Sequence, residues 1–152
     1  ITDPVAGPLF GSKSDLDDSE SGTIYVLQSK AENEFIAEHR SVVHKIGVTG
    51  GSVETRVANA KLDPTFLLAE VEVVATYKLF NINRTRLEKL IHRFFGSARL
   101  DLEIADRFKI PVRPEEWFLV PLSAIDEAVE RIRDGTISDF AYDPQQALLV
   151  RR

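Results

Sequence analysis

The sequence contains no cysteine. That absence excludes a disulfide scaffold, a thiolate zinc site and a cysteine nucleophile, and it is compatible with a reducing compartment. Methionine is absent as well, and the chain opens on Ile1, so it is read as a fragment or a processed product. No basic stretch followed by an apolar core marks a signal peptide. No run approaches the roughly 20 apolar residues needed to cross a bilayer, so the expectation is a soluble, cytoplasmic chain with no membrane partner. Glycine is sparse: Gly47, Gly50 and Gly51 lack the Lys-Ser/Thr ending of a P-loop, and nucleotide hydrolysis is not indicated.

What is present is enough for one domain. The 152 residues are 43% hydrophobic, a length and composition that can bury a single core. The net charge of −5 argues at face value against a phosphate-bearing partner. Its location changes the argument. Residues 1–22 carry Asp3, Asp15, Asp17, Asp18 and Glu20 against Lys13, among Ser, Gly and Pro, and residues 1–21 read as an acidic flexible leader. Residues 78–113 hold nine Lys and Arg against four Asp and Glu. A basic region therefore lies inside an acidic chain, either as solvated cations on amphipathic surfaces or as a footprint for nucleic acid.

Residues 23–27 (TIYVL) and 42–48 (VVHKIGV) read as strands, with residues 35–40 between them as a candidate helical turn. Ser52 is placed to cap a helix over 53–62 that Asp63-Pro64 ends. Alternation over 66–77 predicts a third strand. Asn83 is placed to cap the clearest helix, in which Leu87, Leu90, Ile91, Phe94 and Phe95 recur at helical spacing before Gly96. Residues 116–120 read as a short buried strand, and Ser123 as the cap of a last helix through Arg133 that Gly135 ends. The expected class is α+β (α/β), divided into the leader at 1–21, a folded domain at 22–134 and a C-terminal tail at 135–152.

The order GTIYVL, HKIGVTGG, Arg56, LEKLIHRFF and EEWFLV resembles the GIY-YIG endonuclease superfamily, in particular its phage and meiotic-gene branch, in which KIG replaces YIG and a late motif reads EWF. The resemblance spans roughly residues 22–133. It implies a three-stranded antiparallel sheet flanked by helices that hydrolyses DNA phosphodiesters with one divalent metal, Mg²⁺ or Mn²⁺. It also implies DNA as the partner, with targeting often supplied by an additional domain of a longer chain.

Each candidate residue has a physical rationale and a plainer alternative. Glu88 is the implied metal ligand, a hard oxygen donor of the kind Mg²⁺ takes; the alternative is an i, i+4 ladder with Arg84 and His92. Arg56 offers a planar fork for two phosphate oxygens; alternatively it pairs with Glu54 or Asp63. Tyr25 is a general base or water-orienting group by resemblance, and a core ring otherwise. Lys45 stands where the second motif usually has tyrosine, as a phosphate-holding point charge or a proton donor. His92, one turn beyond Glu88, either touches the metal's water or packs at the helix end, and it ranks above His44 and His39. Trp117 and Phe118 are expected in the core, with Glu116 a lesser candidate beside the site. The alternative function is a catalytically inactive module of this kind that binds nucleic acid or a protein partner.

Overall fold

A computed structural model describes residues 20–31, 34–58, 60, 66–67, 69–101, 104–105, 111–112 and 116–152. Of the expected leader, positions 1–19 lie outside the described residues. Glu20 and Ser21 already belong to the first strand, β1 (Glu20–Ser29).

The remaining elements follow as α1 (Glu34–His39), β2 (Val43–Thr49), α2 (Val53–Val57), β3 (Val71–Ile82), α3 (Arg84–Phe94), β4 (Ile104–Ala105), β5 (Pro111–Val112), β6 (Trp117–Leu119), α4 (Leu122–Arg133), β7 (Phe140–Asp143) and β8 (Leu148–Arg151). The α+β class holds, with one correction to strand number. The main sheet has four strands in the order β3-β1-β2-β6, all antiparallel, because β6 pairs with the edge of β2 that β1 leaves open.

Strand alternation divides the sheet into two chemically different faces. One carries Ile24, Val26, Ile46 and Phe118 into the main core, where α3 contributes Leu87, Leu90 and Ile91 and α4 contributes Ile125, Val129 and Ile132. The other carries Tyr25 and Leu27, with Val53 of α2 and Phe66 packed on them. The segment after 134, expected to be a tail, forms the β7–β8 hairpin, and its Phe140, Tyr142 and Leu149 join the main core.

Local signals account for several element ends. Asn83 accepts from the Arg86 amide and caps α3. At the end of α4, Gly135 takes φ 81°, while the Thr136 amide donates to Arg131 O and the Gly135 amide to Ile132 O. This is the paired closure that a left-handed glycine permits.

Three expectations are corrected. The third strand runs over 71–82 instead of 66–77, and Phe66 and Leu67 sit in a turn before it. Alternation cannot choose between such registers when both stretches are apolar, whereas pairing along the ten residues of β1 can. α2 spans five residues, three of them β-branched and poor at sustaining a helix, and residues 59, 61 and 62 of the expected helix lie outside the described residues. Pro121, not Ser123, holds the N-cap of α4. Its extended backbone ends the preceding strand, and its carbonyl accepts from the Ala124 and Ile125 amides.

His44, on the core face of β2, is fully buried. Its Nδ1 donates to Val120 O at 2.7 Å, and Nε2 accepts from Gln28 Nε2 at 3.3 Å. Burial pushes its pKa below the usual 6.5, partly opposed by the Val120 bond, so the imidazole is neutral in the folded chain. The unfolded chain binds this proton more readily, and folding stability should fall as pH drops below about 6.5. Denaturant unfolding between pH 5 and 8 should show that slope, and His44→Gln should flatten it; an equal slope in the variant assigns the effect elsewhere.

Candidate functional site

The site is built on the register of β1 and β2. Tyr25 pairs with Gly47 and Leu27 with Lys45, so Tyr25, Lys45 and Gly47 share one face. The Tyr25 ring lies directly on Gly47, where an added Cβ would overlap the phenol Cζ and hydroxyl. Glycine is required here for close approach across the ladder, not for backbone conformation.

The ring is fully buried, and its hydroxyl makes no hydrogen bond of ordinary geometry. Three charges nonetheless bear on it. Burial raises the phenol pKa most; the Arg56 guanidinium pulls it down both by its charge and by lying close enough for a weak, poorly aligned hydrogen bond, and the Glu116 and Glu88 carboxylates push it up. The outcome is a phenol pushed up to about 12. Tyr25 is therefore a protonated phenol at neutral pH with an unpartnered polar atom.

Lys45 is also fully buried, and its Nζ donates to Glu116 Oε1. Glu116 keeps 30% of its side chain exposed, so the pair runs from the interior to the surface. Burial drives the Lys45 pKa down, and the Glu116 carboxylate is the main force opposing it; Arg56 adds repulsion and Glu88 attraction. The Lys45 ammonium also lies 4.9 Å from the centre of the Phe66 ring, and the Arg56 guanidinium 5.7 Å from that centre. One aromatic ring thus lies against two cations of like sign, which its negative face tolerates.

Arg56 projects from α2, the helix that Ser52 caps through the Thr55 amide, and it is exposed. Glu88 projects from α3 and accepts from the Val48 amide at 3.2 Å through Oε2. That bond orients the carboxylate and engages one of its two oxygens. A single carboxylate suits Mg²⁺ or Mn²⁺, since Mg²⁺ keeps several waters and needs few protein ligands. No cluster of three or more metal-ligating His, Cys, Asp or Glu occurs among the described residues.

Tyr25 and Lys45 thus share one sheet face, and the charges of Arg56 on α2 and of Glu88 on α3, the helix packed on the other face, both act on them. His92 stands differently. Its Nε2 donates to Ile46 O at 2.7 Å, and its ring lies 5.5 Å from that of Phe118, bracing α3 against β2 one turn from Glu88. His39 donates through Nδ1 to Phe35 O, within its own helix. Two further side chains take part: Glu116, expected only as a lesser candidate, and Phe66, for which no role was expected. A buried lysine needs a counter-ion, so Lys45 in an apolar strand was a signal for the former. Nothing in the sequence signals the latter.

Fold and electrostatics together define a small α+β module with Tyr25 and Lys45 buried on one sheet face and the charges of Arg56, Glu88 and Glu116 acting on them. The chain belongs to the T5orf172 domain family, whose profile matches residues 22–133. That family is associated with nuclease-like modules. The chain is 38% identical over 116 residues to the uncharacterized protein YeeC of Bacillus subtilis (strain 168), an alignment that covers 76% of this chain and 30% of the relative. The chain thus spans about a third of that relative's length. No solved structure matches it. No helix among the described residues is long and apolar enough to cross a membrane.

Two substitutions test the packing. Gly47→Ala should drive the Tyr25 ring off the strand and destabilise the fold by about 1–3 kcal/mol, as overpacking does; unchanged denaturant stability would show that the ring moves freely. Glu116→Ala leaves the Lys45 ammonium buried without its partner and should cost about 3 kcal/mol. The double substitution Lys45→Met, Glu116→Gln should recover most of that loss in the same assay.

Proposed function

We propose that this domain is a divalent-metal-dependent endonuclease that hydrolyses DNA phosphodiester bonds. The observation that carries the reading is the convergence of Arg56, Glu88 and the Lys45–Glu116 pair on the unpartnered Tyr25 hydroxyl. Membership of a nuclease-associated family supports it.

In this reading Glu88 would hold Mg²⁺ or Mn²⁺, and when bound such an ion would supply Lewis acidity toward the phosphate and lower the pKa of water. Arg56 presents two parallel N–H donors to the oxygens that gain charge as phosphorus becomes five-coordinate. Tyr25, held protonated, donates its hydroxyl hydrogen and orients water or a phosphate oxygen instead of taking a proton. Lys45 is a positioning residue: it holds Glu116 beside the phenol and offsets carboxylate charge there. His92 holds α3, and with it Glu88, against β2.

Lys45 favours a second reading. Its ammonium, where the related motif has tyrosine, is committed to Glu116, and Tyr25 is far from ionising. A module that binds DNA without cutting it is consistent with both facts. Incubating the purified chain with supercoiled plasmid and Mg²⁺ or Mn²⁺ separates the two. Endonuclease activity requires metal-dependent nicking that Glu88→Ala and Arg56→Ala each reduce at least about 100-fold, the scale of losing one charge-stabilising group. Salt-sensitive DNA binding with no cleavage under either metal would instead select the binding module.

A further inference from the structure

α3 and the turn after it carry cations that the fold does not use in the way it uses those of α4. On α4, Arg131 lies near Glu127 and Asp134, and Arg133 near Glu130. Lys89, Arg93 and Arg99 form no ion pair among the described residues, and all three are exposed. Lys89 and Arg93 stand four residues apart on one face, a like-charge spacing that disfavours the helix. Arg93 lies in the last turn of α3, where a cation offsets the carbonyl dipole. That benefit fades within one turn, so it does not explain Lys89, whereas Arg99 reaches back from beyond the helix end to the last-turn carbonyl of His92.

These residues line one groove together with His92 and Gly96. Arg99 is folded back toward it, with Nη2 3.5 Å from His92 O and its guanidinium 5.5 Å from the centre of the Phe118 ring. Gly96 faces open space, so its bare backbone leaves room for a close approach. The groove adjoins the catalytic candidate: Lys89 follows Glu88 directly, and His92 is one turn further along the same helix. An open groove flanked by three exposed cations without ion-pair partners among the described residues matches a polyanion.

We infer that this groove is the track for the phosphate backbone of duplex DNA, with Lys89, Arg93 and Arg99 holding phosphates beside the bond presented to Glu88. The inference rests on the endonuclease reading for its orientation, but its test does not depend on cleavage. The intact chain should bind a random-sequence duplex in a titration from about 50 to 200 mM salt without divalent metal. Lys89→Gln, Arg93→Gln and Arg99→Gln together should lower the slope of log K against log salt by about 2.7, at about 0.9 for each phosphate no longer neutralised. Lys89→Gln alone should lower it by about 0.9. The control pair Arg131→Gln, Arg133→Gln should leave the slope unchanged, and circular dichroism checks that each variant is folded.

An unchanged slope in the triple variant, an equal decrease in the control pair, or no salt-dependent binding by the unaltered chain overturns the inference. The endonuclease reading fails separately, when plasmid stays uncut by a chain whose binding follows the predicted slopes.

Discussion

Tyr25 and Gly47 face each other across the β1–β2 ladder, and the position of every group at the site follows from that pairing. A slip of one residue would turn Tyr25 and Lys45 toward α3 and bring Ile24 and Ile46 to the site face. The register is held from both sides. On the core face, Val26 and Ile46 sit opposite each other beneath α3 and α4. On the site face, the tyrosine ring fits only where the opposite strand has no Cβ. Packing on one face therefore fixes which side chains the other face carries.

The site itself is costly to assemble. A lysine and a tyrosine are both withdrawn from water, and burial opposes the charged form of each in opposite directions: the phenol is driven up and the ammonium down. Glu116 reaches in from the surface and compensates Lys45, while the Phe66 face lies against both Lys45 and Arg56. What remains without a partner is the Tyr25 hydroxyl. A buried hydroxyl without a hydrogen bond of ordinary geometry, beside charges of both signs, is unusual in an interior.

Much of the fold was legible locally. α3 follows from an Asn83 cap and an apolar stripe at helical spacing, and β1 and β2 from β-branched runs, because those signals act within a turn or a pleat. The register of β3, the pairing of β6 with β2 and the packing of the β7–β8 hairpin were not legible, because each depends on which distant surface offers an unpaired edge or an uncovered apolar face. The early end of α2 belongs with these: its β-branched residues make a weak helix, and only its neighbours decide its length.

The candidate residues divide along the same line. Sequence alone determined which chemistries were open: no thiol, no P-loop, a basic stretch inside an acidic chain, and Tyr25, Arg56 and Glu88 in a recognisable order. Tertiary structure decided what those residues face. It engaged Lys45 with Glu116 across 71 positions, committed His92 to the Ile46 carbonyl, and inserted Phe66 beneath two cations. Residue type and short-range spacing limit what a side chain can do. Its partners, its hydration and therefore its proton affinity are set by strands that meet only when the whole sheet has closed.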